Sequence, residues 1–242
     1  ISLGLVGSEM CIRDRPDAVV VPGSKQTLRD LAAIRSSGLA QSLHAYVAGG
    51  GHVFGICGGL QLLGRELSDP QGLEGQSDGL VAGASLISAG LDLLPLRTVF
   101  GDGKALRQRR CRALWPALAE GDEHDTSADA DQQQELDLEG FELHRGSTTT
   151  LSPCRPLCAD PDLGWLQARG DQGGLVAGTY LHGVFESGPW RRRWLNRLRR
   201  RRGLPMLSER QPHHSRQRDQ LLERLADAFE QHVNLEPLLE QP

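Results

Sequence analysis

The sequence predicts an α/β domain with a mostly parallel sheet flanked by helices. Short apolar runs at Asp17–Val21 and His52–Ile56 are bounded by glycine or proline, which is typical of buried parallel strands. The segment between these runs carries apolar residues at helical spacing instead. Strand and helix thus alternate through the first third of the 242 residues, which indicates a parallel sheet.

Three helices are predicted in this first third. Ser24 is expected to cap the first helix, which begins near Gln26 and ends at Ser37–Gly38. The second helix spans Leu39–Ala48 and stops at a run of glycines. The third helix spans Leu60–Leu67, with its leucines clustered on one side.

The rest of the chain has a less regular pattern. Strands are predicted over Leu91–Phe100, Gly140–Leu143 and Leu175–His182, and helix from Pro189 onward. Residues 120–139 are acidic and lack apolar periodicity, which indicates a surface insertion.

Three segments follow from this pattern. Residues 16–205 are predicted to form the main domain, and residues 206–242 a helical C-terminal tail. Ile1 to Arg15 has neither an initiator methionine nor the pattern of a signal peptide. It resembles the translated read of a sequencing adapter, and we interpret it as non-native. A genuine first strand over Ile1–Val6 is the alternative.

Composition restricts the possible classes of protein. The net charge of −4 gives no bias toward nucleic acid, and no partnership with one is expected. No apolar run approaches the roughly 18 residues that span a bilayer, so no membrane association is expected either. The five cysteines are scattered and do not indicate a disulfide framework. A reducing cytoplasm is therefore the expected compartment, and no metal site is predicted.

Cys57 is the candidate nucleophile. It lies within Gly55–Ile56–Cys57–Gly58–Gly59, between a predicted strand and a predicted helix, which is a nucleophile-elbow arrangement with cysteine in place of serine. Glycines permit the sharp turn, and the helix N-terminus is expected to lower the pKa of the thiol. A buried structural cysteine is the alternative, and for an isolated cysteine it is the commoner one.

Two backbone N–H groups are candidates for an oxyanion hole. The N–H of Gly58 follows the nucleophile directly, and Gly23 lies in the Val21–Pro22–Gly23–Ser24 turn at the carboxyl end of the first strand. Ligands of open α/β sheets bind at that edge. A turn needed only for topology is the alternative for Gly23.

A cysteine nucleophile requires a base, and the chain has eight histidines. His144 and His182 both follow predicted strands, where catalytic bases are commonly found. His182 has the stronger context, because a long apolar strand precedes it and Gly183 leaves space beside its ring. It is therefore the predicted base.

Taken together, these motifs resemble the amidotransferase domain of the cobyric acid synthase family. The resemblance extends from about Asp17 to Pro205, and four motifs carry it: Pro22–Gly23–Ser24–Lys25, Gly55 to Gly64, Gly140–Phe141–Glu142–Leu143–His144–Arg145–Gly146 and Gly178–Thr179–Tyr180–Leu181–His182–Gly183.

The resemblance implies a flavodoxin-like class I glutamine amidotransferase. In that family the cysteine attacks the side-chain amide of glutamine, ammonia leaves, and water releases glutamate from the thioester. Cys57 and His182 would carry these roles, and Gln61 falls where class I relatives contact the substrate. Many class I members have a glutamate two residues after the histidine, but Val184 stands there. A backbone carbonyl is then a possible partner for the His182 ring. The role of His144 is not assigned.

The resemblance also implies a larger enzyme. The family's full protein carries an ATP-dependent synthetase domain that amidates carboxylates of adenosylcobyrinic acid a,c-diamide with the ammonia. This chain has no phosphate-loop motif, so ATP and Mg²⁺ are expected only in that domain, and no cofactor on this chain. We therefore interpret the chain as a C-terminal fragment that cannot amidate the corrinoid alone.

Three alternatives stay open at this point. The chain could belong to a related amidotransferase, either cobyrinic acid a,c-diamide synthase or the one that amidates lipid II. It could also be an inactive remnant. A more distant alternative is a nucleic-acid-binding module, since Trp190 to Arg202 contains eight arginines. The tryptophans and leucines of that segment form an apolar stripe, which favours an amphipathic helix instead.

Overall fold

The computed structural model describes residues 16–74, 86–115, 136–169 and 173–233. The predicted non-native segment, most of the predicted acidic insertion and the end of the tail lie outside these ranges. The chain divides into two units, residues 1–183 and 184–242.

Helices and strands alternate at the start of the first unit, and strands dominate after that. In chain order the elements are β1 Ala18–Val21, α1 Thr27–Ser36, α2 Leu39–Ala48, β2 His52–Ile56, α3 Gly58–Leu63, β3 Glu66–Asp69, β4 Leu86–Ala89, β5 Leu96–Arg112, β6 Asp137–Thr150, β7 Arg155–Pro156, β8 Gly164–Arg169, β9 Gly174–Thr179 and β10 Leu181–His182.

The first sheet has the strand order β1-β2-β9-β8-β7. Strands β1, β2 and β9 run parallel, and β8 and β7 continue the sheet with antiparallel pairing. The register aligns Val21 with Gly55 and Ile56 with Thr179, so the carboxyl ends of the three parallel strands are level. The α/β prediction is confirmed, with the parallel strands concentrated in this half of the sheet.

The second sheet has the strand order β10-β6-β5-β3-β4. Only β3 and β5 pair in parallel among its described strands. The long pair β5–β6 contains both middle strands of the sequence prediction, but the predicted bounds were wrong at both ends. The end predicted for the acidic insertion is also wrong, because Asp137–Glu139 belongs to β6. There Arg110 forms ion pairs with Asp137 and Glu139 at 2.7 and 3.4 Å across the strands.

Two predicted helix boundaries are wrong as well. Gln26, not Ser24, is the N-cap of α1; the Ser24 hydroxyl accepts the Gln26 N–H at 3.0 Å instead. The third helix ends at Leu63, because the extended backbone of Gly64 (ψ 169°) redirects the chain. Glu66–Asp69 then forms a strand, since pairing with β4 and β5 outweighs its helical pattern.

The predicted strand Leu175–His182 is divided in two. β9 ends at Thr179 in the first sheet, and β10 begins at Leu181 in the second sheet. The Thr179 hydroxyl fills the break: it donates to the Leu163 carbonyl at 2.8 Å and accepts the Leu181 N–H at 3.0 Å. The chain therefore changes sheets at Tyr180, immediately before His182.

The second unit consists of a short 3₁₀ helix at Val184–Glu186, α4 at Gly188–Arg201 and α5 at His214–His232. The predicted amphipathic stripe of α4 is confirmed. Trp190 is fully buried, and both Trp190 and Trp194 pack edge-on against Phe185 at centroid distances of 5.3 and 5.1 Å. α5 has no buried residue. Among the described residues, no helix is both long enough and apolar enough to cross a bilayer.

Candidate active site

The carboxyl ends of the three parallel strands meet at one edge of the first sheet. The loop after β1 carries Gly23, the turn after β2 carries Cys57, and the segment after β9 carries His182. The Cys57 N–H donates to the Thr179 carbonyl at 2.8 Å, which ties the second of these segments to the third. The fold therefore brings the predicted nucleophile, base and glycine turn together.

Cys57 occupies a strained backbone conformation. Its φ of 53° and ψ of −113° lie in a region that side chains other than glycine rarely adopt. The turn is also crowded, because a Cβ added at Gly58 would lie 2.6 Å from the backbone nitrogen of Ser24. Both features are those of a nucleophile elbow, which projects its side chain at the start of the following helix.

The thiol and the imidazole meet at one backbone oxygen. Cys57 Sγ lies 3.2 Å from the carbonyl oxygen of Leu143, and His182 Nε2 lies 3.4 Å from the same oxygen. A Cβ added at Gly23 would sit 3.6 Å from His182 Cε1 and 3.7 Å from Cys57 Cβ. Gly23 therefore forms one wall of the space between the two side chains.

The His182 ring is oriented by β6. β10 pairs with β6 so that His182 lies opposite Phe141, and the two rings stack at 4.8 Å with an interplanar angle of 5°. A Cβ at Gly140 would collide with the His182 carbonyl oxygen, so only glycine allows this close approach. The stack with Phe141 orients the ring, and Nε2 lies 3.4 Å from the Leu143 carbonyl oxygen.

Burial dominates the acidity of the nucleophile. Burial raises the pKa of the Cys57 thiol above 9.0, the N–H of Gly58 opposes this effect, and the charge of Glu74 adds to it. The helix N-terminus was expected to lower this pKa, and that prediction was wrong in its net direction. The Gly58 N–H acts as expected, but α3 is short and Cys57 is buried. A thiol of raised pKa requires a base to accept its proton if it is to act as a nucleophile.

One backbone N–H donor lies beside the thiol. The Gly58 N–H is directed at Cys57 Sγ, and Gly23 borders the same space. Their contact with a reacting oxygen stays a prediction.

Gln61 lies in the wall of the site and is 3% exposed. Its Nε2 donates to the Arg145 carbonyl at 2.9 Å and to the Tyr180 hydroxyl at 3.2 Å, and its Oε1 accepts from the Thr27 hydroxyl at 3.3 Å. These bonds connect α3 to α1, β6 and the segment before His182. The predicted contact of Gln61 with a substrate stays a prediction, and it would require the amide to exchange one of these partners.

His144 contacts two other residues of this region, Tyr180 and Glu142. Its ring stacks on Tyr180 at 3.6 Å, and its Nε2 lies 2.9 Å from Glu142 Oε1. Burial raises the pKa of Tyr180 to about 12, against the effect of its hydrogen bonds to Thr148 and Gln61. The Tyr180 hydroxyl therefore stays protonated and can both donate and accept hydrogen bonds. The stacked His144 ring fixes the orientation of the Tyr180 ring.

A charged network secures this support. Glu142 is 6% exposed, and its Oε2 lies 3.4 Å from Arg107 Nε and 3.3 Å from Arg109 Nε. Arg109 also forms an ion pair with Asp160. A buried carboxylate needs such partners, and here they fix the strand that supplies Phe141 and the Leu143 carbonyl.

Glu74 is a site residue that the sequence analysis did not identify. Its Oε2 accepts the Thr27 N–H at 2.7 Å, and its charge acts on Cys57. No motif contains it, so only the folded chain reveals it. Phe141 and Leu143 were inside a quoted motif, but a stacking ring and a carbonyl group leave no residue-type signal for their roles.

Other predicted features do not extend the site. Among the described residues, no group of histidine, cysteine, aspartate or glutamate is arranged to hold a metal ion. Several α4 arginines form contacts within the second unit. Arg193 forms an ion pair with Glu209 at 2.6 Å, Arg199 donates a hydrogen bond to the Pro205 carbonyl at 2.8 Å, and Arg191 donates one to the Phe185 carbonyl. These contacts favour a structural role for this helix.

Comparison with known proteins gives a consistent result. A family model described as a CobB/CobQ-like glutamine amidotransferase domain matches residues 5–190. The chain is 65% identical over 227 residues to a cobyric acid synthase of Synechococcus sp. (strain CC9311), covering 93% of this chain and 41% of the relative. It is 48% identical over 228 residues to a cobyric acid synthase of Prochlorococcus marinus (strain MIT 9313), with the same shares covered. The chain thus spans about two fifths of the length of these curated relatives.

A solved structure described as that of a glutamine amidotransferase also resembles the chain. The two share 16% sequence identity with a TM-score of 0.44, over 75% of this chain and 78% of the other.

Proposed function

The chain belongs to the CobB/CobQ-like glutamine amidotransferase domain family, and from this membership we propose that it hydrolyses glutamine to glutamate and ammonia. The observation that carries the proposal is the approach of Cys57 Sγ and His182 Nε2 to the single carbonyl oxygen of Leu143. That arrangement supplies a nucleophile and a base within one small space.

The proposed reaction begins at the thiol of Cys57. Its proton passes to His182 as sulfur attacks the side-chain carbonyl carbon of glutamine, and the charge on the oxygen is received by the Gly58 and Gly23 N–H groups. His182 then returns the proton to the nitrogen, the C–N bond breaks, and ammonia leaves a thioester. A water molecule, deprotonated by His182, attacks the thioester and releases glutamate.

The Leu143 carbonyl serves both steps of proton transfer. Before attack, it accepts a hydrogen bond from the Cys57 thiol, which favours the neutral form. After proton transfer, it can accept a hydrogen bond from the imidazolium N–H of His182. The oxygen thereby replaces part of what a carboxylate partner does elsewhere, without placing a full negative charge beside the thiol.

We further propose that the ammonia serves cobyric acid synthesis. The relatives that match 93% of this chain carry that name, and the chain covers 41% of the length of the first of them. The remaining part of such an enzyme would be the ATP- and Mg²⁺-dependent synthetase domain, which binds the corrinoid and amidates its carboxylates. The thiols of Cys57, Cys111, Cys154 and Cys158 are free, which suits a reducing cytoplasm.

Glutamate release from glutamine tests the first proposal. The wild-type chain is expected to release glutamate, and Cys57→Ala is expected to reduce the rate to background. Cys158→Ala, which removes a buried thiol outside the site, is the matched control and should leave the rate unchanged. A glutamine analogue with a diazoketone in place of the amide should label Cys57 alone. Wild-type turnover in Cys57→Ala would contradict the assignment.

A mixing experiment tests the second proposal. The chain is combined with the separately produced N-terminal part of the Synechococcus relative, ATP, Mg²⁺, glutamine and adenosylcobyrinic acid a,c-diamide. Corrinoid amidation is expected to depend on Cys57 when glutamine is the nitrogen source, but not when ammonium chloride is supplied. Equal amidation from glutamine by the Cys57→Ala variant would contradict the proposal.

A further inference from the structure

Two cysteines outside the active site lie next to each other at the end of β5. Cys111 belongs to the last turn of that strand, and Ala113, two positions later, forms an antiparallel bridge with Cys158. Side chains two positions apart on a strand lie on the same face, so Cys111 and Cys158 share one face. Their thiol groups are hydrogen-bonded to each other. The fold thus brings together two thiols that are distant in the chain.

Backbone hydrogen bonds hold this segment on both sides of the bridge. The Ala159 N–H donates to the Arg112 carbonyl at 2.8 Å, and the Leu114 N–H donates to the Leu157 carbonyl at 2.9 Å. The two thiols therefore keep their relative positions as part of a strand pair in the folded chain.

The two thiols differ in acidity and in exposure. The hydrogen bond from Cys111 lowers the pKa of Cys158 against the effect of burial, and the charge of Arg109 also lowers it. The same hydrogen bond raises the pKa of Cys111. Cys111 is half-buried, whereas Cys158 is 1% exposed. An oxidant would therefore meet the pair at Cys111, with a more acidic thiol directly behind it.

An ion pair connects the two thiols to the active site. Arg109 lies two positions before Cys111 on β5, and it pairs with Asp160, two positions after Cys158. Arg109 Nε also lies 3.3 Å from Glu142 Oε2 on β6. A movement of Cys111 relative to Cys158 would therefore be transmitted to β6, the strand that contacts both proposed catalytic side chains.

We propose that Cys111 and Cys158 form a redox site, which a peroxide converts to a disulfide and a dithiol converts back to two thiols. The Cys111 sulfur attacks one oxygen of hydrogen peroxide, the O–O bond breaks, and the other oxygen leaves as water with the thiol proton. The Cys158 sulfur then displaces the hydroxyl of the Cys111 sulfenic acid, and a second water leaves with the Cys158 proton. The two sulfurs thus lose two electrons to the peroxide. A dithiol reverses the change by exchange and becomes a disulfide itself.

The new bond would draw two segments together. Diagonal neighbours on paired antiparallel strands have Cα atoms roughly 7–8 Å apart, whereas a disulfide usually joins Cα atoms about 4.4–6.8 Å apart. Closure would therefore shift the end of β5, and with it the ion pair of Arg109 with Asp160. We expect oxidation to lower glutaminase turnover for this reason. That consequence rests on the proposed function, whereas the redox site itself does not.

Peptide mass spectrometry tests the redox site. The reduced full chain is treated with hydrogen peroxide, the remaining thiols are alkylated, and a chymotryptic digest, which cuts at Leu157, separates Cys154 from Cys158. A peptide pair linked through Cys111 and Cys158 is expected, and dithiothreitol should abolish it. Burial raises the pKa of Cys154, so this thiol should be lost more slowly than Cys158. Absence of the linked pair would overturn the redox site.

Glutamate release tests the effect on the active site. Peroxide is expected to lower kcat of the wild-type chain about 2- to 30-fold, the range of coupling through connected residues, and dithiothreitol should restore it. Cys111→Ala retains Cys57 but cannot form the bond, so it should start at the wild-type rate and keep it in peroxide. Cys158→Ala should behave in the same way. Cys154→Ala is the matched control and should respond as the wild type does.

The linked peptide and the change in turnover can fail independently. A linked pair with unchanged turnover would overturn the effect on the active site and leave the redox site standing. Equal inactivation of the wild type and Cys111→Ala would place the loss at Cys57 and would also overturn that effect. If the reduced wild-type chain releases no glutamate, the proposed function fails, and mass spectrometry still decides the redox site.

Discussion

At the scale of single residues, the main feature is that Cys57, the proposed nucleophile, is held in its neutral form. Burial raises the pKa of Cys57, and the Leu143 carbonyl at 3.2 Å can bond only the protonated thiol. A thiolate–imidazolium pair formed in advance would need the opposite environment, with exposed sulfur and nearby cations. The arrangement instead resembles the serine type of activation, in which the base acts during attack.

This feature predicts the pH dependence of Cys57 alkylation by iodoacetamide. Because the folded-state pKa lies above 9.0, the rate should still be rising at pH 9 and show no plateau near neutrality. The same shift favours the folded state below pH 9.0, and this stabilisation is lost as the pH rises through the folded-state pKa. Mass spectrometry of the Cys57 peptide separates its rate from those of the other cysteines. A plateau at pH 7 would contradict the prediction.

Phe141 is expected to act through the orientation of His182. The stacked rings are 4.8 Å apart, and such pairs contribute about 0.5–1.5 kcal/mol, so Phe141→Ala should lower kcat for glutaminase turnover roughly 2- to 10-fold with little change in KM. Phe141→Tyr keeps the ring and serves as the control. An increase in KM alone, with kcat unchanged, would indicate that Phe141 contacts substrate rather than positioning the base.

At the scale of elements, β6 serves several parts of the site. The Phe141 ring stacks on His182, and the Leu143 carbonyl accepts a hydrogen bond from the Cys57 thiol. The His144 ring stacks on Tyr180, and the Arg145 carbonyl accepts a hydrogen bond from Gln61. Alternation along a strand explains the division, because side chains and carbonyl groups at successive positions point in different directions. Contacts with the motif from Gly140 to Gly146 therefore position both β10 and α3.

Gly140→Ala tests the contact between β6 and β10. The added Cβ would overlap the His182 carbonyl oxygen, so we expect a loss of about 1–3 kcal/mol in the free energy of unfolding. We also expect turnover to fall about 100-fold as His182 shifts. Gly103→Ala is the matched control, since nothing lies within 4 Å of its added Cβ. Equal effects of the two substitutions, measured by urea unfolding and glutamate release, would contradict this account.

The sequence predicted the parallel elements well because their signals are local. The apolar run of β2 matches the described strand His52–Ile56, and the glycines after it mark the elbow at Cys57. The second sheet was predicted poorly because its strands depend on distant partners. β3 carries a helical pattern, and the acidic start of β6 is explained only by Arg110 on the facing strand.

The candidate site divides in the same way. Cys57 and His182 are identified by residue type and by their positions after strands, so they could be predicted. The Leu143 carbonyl could not, because every residue has a carbonyl group and only tertiary structure selects one. Glu74 is similar: its significance depends on the Thr27 N–H, which lies 47 positions away in the chain.

At the scale of the whole molecule, the site residues are confined to the first unit. Cys57, Gln61, Glu74, Leu143 and His182 all precede residue 184, where the second unit begins. The second unit has its own small core around Trp190, whereas α5 buries no residue and exposes Leu221, Leu225 and Phe229 along one side. Folding of the site and the presence of α5 should therefore be separable.

A chain that ends after His213 tests this separation. Because α5 has no buried residue, its removal should change the free energy of unfolding by less than about 0.5 kcal/mol, the range of surface changes. The alkylation rate of Cys57 and the turnover of glutamine should also stay within twofold of the values for the full chain. Trp190→Ala is the contrasting change, since truncating a fully buried tryptophan should cost about 3–5 kcal/mol. A large loss of stability on removal of α5 would mean that its apolar side packs against the rest of the chain in solution.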